Sequence, residues 1–148
     1  MNKLKKFVVF DTNVIVASLR SRRGASFQLL KLVIEDDPRF QILLSVPLLL
    51  EYEAVLKREE QLAANRLQVQ DIDTILDMLA ARAKEIKIPF LWRPQLNDPK
   101  DEMVLELAAN GQAEAIITFN HKDFLPAIKR FNFQILSPSA FYAQILEH

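Results

Sequence analysis

The chain has no cysteine in its 148 residues, which excludes a disulfide framework and thiolate metal sites and fits a reducing, cytoplasmic setting. Its two glycines, Gly24 and Gly111, are too few for a phosphate-cradling loop, so neither GxGxxG nor GxxxxGK[ST] can occur. Neither sign of charge is in excess: 19 Lys and Arg balance 19 Asp and Glu. Net charge therefore recruits no partner, and any contact with RNA or DNA has to come from local patches. No apolar run approaches membrane-spanning length. The opening MNKLKKFVVF imitates a signal peptide, with lysines before an apolar stretch, but Asp11 ends that stretch after four residues. The expectation is a soluble, cytoplasmic protein with no membrane association.

Half of the residues are apolar, enough to bury a core without staples, and the length suits one domain over residues 1–148. Short apolar runs alternate with longer amphipathic stretches. Strands are expected at Lys6 to Phe10, Phe40 to Leu44, Ala115 to Phe119 and Phe133 to Leu136. Helices are expected at Val14 to Leu19, Ser26 to Glu35 (Phe27, Leu30 and Ile34 on one face), Pro47 to Lys57, Val69 to Lys84, Asp98 to Asn110 and Pro138 to Leu146. Gly111 reads as the stop of the helix before it. A loop is expected from Pro89 to Asn97, and a short helical turn near Lys122 to Leu125. Non-alternating strands between helices describe a three-layer α/β/α sandwich around a central, mostly parallel sheet. Ligands in such folds sit at the carboxyl ends of the strands.

The acids past those ends carry the functional question. Asp11 follows the strand FVVF directly and reads either as a helix cap shared with Thr12 or as a ligand; one carboxylate can be both. In LLLEYEAVLK, Glu51 has apolar neighbours at i±3 and i±4 and reads as turned inward, whereas Glu53 has Lys57 four residues on and reads as a surface ion pair. In NDPKDE, Asp98, Pro99 and Asp101 suit a cap, a first helical residue and a reciprocal acid without any chemistry. In TFNHKDF, Asn120 and Asp123 suit an ordinary turn equally well. Taken together, these oxygen donors follow two strands and open two helices, so a parallel sheet can bring them to one cleft. Clustered carboxylates must protonate or take up a cation. With His121 and His148 the only histidines, that cation would be Mg²⁺ or Mn²⁺ rather than zinc.

FVVFDTNVIVASL, SVPLLLEYEAVLKR, DPKDEMVLELA and AIITFNHKDF, in this order, resemble the PIN-domain nucleases, and within them the toxin-like branch of prokaryotic type II toxin–antitoxin modules. The resemblance runs from about Lys6 to Phe141. It implies a metal-dependent ribonuclease with an acidic quartet, in which Asp11 takes the first position, with Thr12, Asn13 and Thr118 as supporting polar residues. Glu51 takes the second position and Asp101 the third, with Asp98 an adjacent acid. The fourth is usually aspartate; here it is Asn120, with Asp123 three residues on to supply the missing charge. The resemblance also implies a homodimer and a small antitoxin partner. Arg20, Arg22, Arg23 and Lys122 are candidates to grip RNA phosphates, and Trp92 with Arg93 to stack on an unpaired base. Two rivals remain: a degenerate PIN-like module that binds RNA or protein without cutting, favoured by Asn120, and a phosphohydrolase using Asp11 as nucleophile. FDTN lacks the second aspartate two residues on that haloacid-dehalogenase-type phosphatases use.

Overall fold

Among the described residues, apolar runs form β1 (Lys6–Phe10), β2 (Phe40–Leu44), β4 (Ala115–Ile117) and β5 (Gln134–Leu136), and the charged pair Lys84–Glu85 adds β3. The computed structural model describes residues 5–88, 98–128 and 130–147, so the loop expected from Pro89 to Asn97, with Trp92 and Arg93, lies outside the described residues. All four pairings are parallel, in the order β3-β2-β1-β4-β5. Val8 stands opposite both Ile42 and Ala115, which puts β1 in the middle. Val8, Val9, Ile42, Leu43, Ile116 and Ile117 are buried, as strands covered on both faces must be. The short edge strand β3 is charged and exposed, which discourages pairing with another chain.

The helices among the described residues are α1 (Thr12–Arg20), α2 (Ala25–Ile34), α3 (Val46–Leu56), α4 (Glu59–Asn65), α5 (Val69–Arg82), α6 (Pro99–Asn110), α7 (Leu125–Ile128) and α8 (Pro138–Leu146). From β1 the chain steps through α1 and α2 to β2, and through α3 to α5 to β3; α6 then carries it back across the sheet to β4. With right-handed crossovers, the outward steps cover one face and the return covers the other. Accordingly α6 packs on β1, β2 and β4, while α8 closes against α2. The result is the three-layer α/β/α sandwich that the pattern implies. Strands are added outward from β1 to β3 on one side and then from β4 to β5 on the other, so the carboxyl ends of β1 and β4 form the switch point at which such sheets bind ligands.

Several details differ from the sequence reading. The buried face of α2 is Ser26, Leu29, Leu30 and Val33, with Phe27 and Ile34 only partly covered, because α2 is wedged among α1, α5 and α8. Helix α4 buries no residue fully and so gives no amphipathic signal; Arg20 of α1 tethers it, donating to Gln61 Oε1 at 2.6 Å and Asn65 Oδ1 at 2.9 Å. Gly111 does not take the left-handed conformation of a helix stop. Its φ is −89°, and Gln112 supplies the left-handed residue at φ 53°. Glycine is needed at 111 for space: a Cβ there would lie 2.5 Å from Leu43 Cδ1.

Candidate active site

Asp11 is the first residue past β1 and the N-cap of α1, only 7% exposed. Its Oδ1 accepts the Thr12 amide at 2.8 Å and its Oδ2 accepts the Thr118 hydroxyl at 2.7 Å. The Asp11 amide donates to the Ile117 carbonyl at 2.9 Å, which ties the end of β1 to the end of β4. Thr118 Oγ1 in turn accepts the Asn120 amide at 2.9 Å, so one buried threonine joins the first carboxylate to the loop after β4. Both readings of Asp11 as a cap and as a site residue are thus geometrically compatible.

Below this junction lies Tyr52, fully buried, whose hydroxyl donates to the Phe10 carbonyl. Burial first, then the nearby charge of Asp11, holds its pKa well above 10, so it serves as a fixed neutral donor. Nothing in the local sequence marks this role, because its partner, the Phe10 carbonyl, lies on another element.

Glu51 is carried by α3, which Ser45 caps by accepting the Leu48 amide at 3.2 Å. Its side chain is 16% exposed and stands beside Val55 in the cleft wall, so the inward orientation read from its apolar neighbours is what the fold adopts. Glu53 faces outward and pairs with Lys57 at 2.9 Å, which also meets Asp73 at 2.6 Å. Asp98 caps α6, accepting the Lys100 amide at 2.9 Å, with Pro99 as the first helical residue. Asp101 sits in the same first turn.

Asp11, Thr12, Asn13, Glu51, Asp98, Asp101 and Asn120 line one cleft of about 260 Å³, together with Lys100, which the sequence reading passed over. Asp123 lies outside it, in an adjoining depression with Lys122 and Pro126; Asp98 and Asp101 border both spaces. Of the two, the neutral Asn120 lines the cleft, and Asp123 acts on Asp11 and Asp101 through its charge. Phe119, between Thr118 and Asn120, is 54% exposed, with its amide 3.5 Å from Asn13 Oδ1. Arg22 and Arg23 are exposed, whereas Arg20 is engaged with α4.

The electrostatics are those of crowded acids. Burial lifts the Asp11 pKa, the hydrogen bonds from Thr118 and Thr12 pull it down, and the charges of Asp123 and Asp98 lift it further. Asp101 is raised to about 6, by burial first and then by Asp11, Asp98, Asp123 and Glu102. Among the described residues, no three His, Asp or Glu side chains gather closely enough to form a ready metal cluster. Like charges repel across the cleft, and the Glu51 carboxylate is 3.5 Å from Lys100 Nζ. As a donor set these residues suit a hard divalent cation: they offer oxygen alone, and a positive charge between Asp11 and Asp101 would offset the burial, and then the repulsion from neighbouring acids, that raise both.

No curated protein matches the chain. Among solved structures it is similar to a chain in the crystal structure of VapBC2 from Rickettsia felis bound to a DNA fragment from their promoter. That likeness has a TM-score of 0.56 and 17% identity, over 88% of this chain and 98% of the other, a likeness of fold. The PIN domain family model matches residues 7–122, a span holding the ends of β1 and β4, Glu51, Asp98, Asp101 and Asn120. The chain belongs to the PIN domain family.

Proposed function

We propose that this protein is a metal-dependent endoribonuclease and the toxin of a type II toxin–antitoxin module. The observation that supports this most is the meeting of Asp11, Glu51, Asp98, Asp101 and Asn120 in one cleft at the switch point of a parallel sheet. Asp11, Glu51 and Asp101 are the residues to hold Mg²⁺ or Mn²⁺, with Asn120 as a neutral oxygen donor and Asp98 and Asp123 adding charge. When bound, such a cation would let its water lose a proton at a pH far below that of bulk water and would stabilise charge on the phosphoryl group. The chain's own part is positioning. Thr118 and the Thr12 amide fix both oxygens of Asp11, Tyr52 fixes the peptide before it, and the caps Ser45 and Asp98 orient α3 and α6. Lys122, exposed in the adjoining depression, and Arg22 and Arg23 supply counter-charge for RNA phosphates, and the exposed Phe119 ring offers a face to an unpaired base.

The fold likeness to a VapBC2 chain and the toxin-like motifs support a small antitoxin as partner. A homodimer is part of the same reading, and Val46 and Leu50, exposed on α3, are candidates for a protein interface. Incubation of purified protein with single-stranded RNA and Mn²⁺ tests the reading: cleavage is expected, abolished by EDTA and by Asp11→Asn. An inert wild type, or an Asp11→Asn variant of equal activity, overturns it. Asn120 supports a second reading, a PIN-like module that binds without cutting; calorimetric titration with Mn²⁺ separates the two, since that module binds no metal at millimolar concentration.

A further inference from the structure

Among the described residues, four carboxylates line the cleft, those of Asp11, Glu51, Asp98 and Asp101, against a single ammonium, Lys100. An RNA phosphate approaching so acidic a wall meets repulsion, and Lys100, the cation among the described residues of that wall, faces Glu51, with Nζ 3.5 Å from Oε1. Lys100 occupies the second position of α6, between Pro99 and Asp101, so its backbone is fixed by the Asp98 cap while its side chain stays 57% exposed. A lysine is a point charge on a flexible four-carbon stem and can change partners without moving the helix.

We propose that Lys100 is a resident counter-ion of the cleft: it neutralises Glu51 until a divalent cation takes that carboxylate, and the released ammonium then holds the scissile phosphate. This rests on the nuclease reading above and assigns Lys100 two effects of opposite sign. It competes with the metal for Glu51, so removing it tightens metal binding. Among the described residues it is the one positive side chain lining the cleft, so removing it weakens productive RNA binding. A lysine serving only the fold or solubility of α6 gives neither pattern.

The test uses the full chain and Mn²⁺ as the probe. Calorimetric titration at low ionic strength is expected to show Lys100→Met binding Mn²⁺ about two- to five-fold more tightly than wild type, the range open to a partly exposed ion pair. In a Glu51→Gln background the same substitution is expected to leave Mn²⁺ affinity unchanged, because the competitor has lost its partner. In parallel, kcat/KM for an RNA oligonucleotide at saturating Mn²⁺ is expected to fall about tenfold or more in Lys100→Met, in the range of a hydrogen bond to a charged group, and to be largely retained in Lys100→Arg. Because Lys100 is exposed, circular dichroism of both variants should match wild type. Unchanged or weaker Mn²⁺ binding by Lys100→Met overturns the inference, as does equal tightening with and without Glu51, or RNA turnover equal to wild type. Wild-type protein that binds no Mn²⁺ overturns the nuclease reading itself, a result separable from failure of the Lys100 variants alone.

Discussion

Replacing Asp101 by asparagine keeps the size of the side chain and its place in the first turn of α6 but removes its charge. The Asp101 carboxyl is raised from 3.8 to about 6, by burial and then by Asp11, Asp98, Asp123 and Glu102. At about 1.4 kcal/mol per pH unit, that displacement corresponds to roughly 3 kcal/mol. Water on the open side of the cleft screens much of this, and the N-terminus of α6 favours a negative charge by about 0.3–1 kcal/mol, so about 1 kcal/mol of net destabilisation remains. Because the native pKa lies above the unfolded one, the folded state holds the proton more tightly. The ionised carboxylate therefore costs stability above about pH 6, and the cost fades as pH falls from about 6 to below 3.8. In EDTA at pH 7.5, Asp101→Asn is expected to be about 1 kcal/mol more stable than wild type, roughly 2–4 °C in Tm for a chain of this size. The difference should shrink to near zero by about pH 4. Adding Mn²⁺ should reverse the order, since wild type gains a ligand-linked increment that the variant lacks. Scanning calorimetry at the two pH values decides it: an Asp101→Asn protein that melts below wild type at pH 7.5, or a difference independent of pH, contradicts the picture of crowded acids.

Thr118→Val removes the hydroxyl that holds Asp11 Oδ2 and lowers its pKa, so the acid limb of the pH–rate profile for RNA cleavage should move to higher pH; an unmoved limb contradicts the assignment. Tyr52→Phe leaves the buried Phe10 carbonyl without its donor and should cost about 1–2 kcal/mol in urea unfolding. A neutral result would mean that another donor serves that carbonyl. Gly111→Ala drives a Cβ toward Leu43 Cδ1 and should destabilise by about 1–3 kcal/mol, lowering the urea midpoint; an unchanged midpoint shows that the helix end can shift.

What the sequence conveyed followed from how local each signal was. β1 and β2 were bounded to the residue, because FVVF and FQILL are apolar runs closed by Asp11 and Ser45. The cap Asp98 and the inward face of Glu51 were legible from spacing within a single helix. Tertiary context hid the rest. α4 has no apolar stripe and is held by side-chain hydrogen bonds from α1, and β3 is a two-residue edge that pairs only because α5 delivers it beside β2. Gly111 looked like a conformational stop, yet what requires it is the Leu43 side chain, nearly seventy residues away in sequence. At the site, short oxygen-bearing residues after strands and at helix starts were visible one by one. The split of Asn120 into the cleft and Asp123 beyond it depends on how the 3-10 turn His121–Phe124 is oriented. Lys100 and Tyr52 carry no local sequence signal because each acts through a partner on another element, Glu51 for the lysine and the Phe10 carbonyl for the tyrosine.

The most direct test is where a manganese ion binds. In crystals grown with Mn²⁺, an anomalous difference peak is expected between the carboxylates of Asp11, Glu51 and Asp101, at roughly 2 Å from their oxygens. Lys100 should have drawn away from Glu51. A cleft with no peak at millimolar Mn²⁺, or a peak held by other residues with these three carboxylates left apart, contradicts the account.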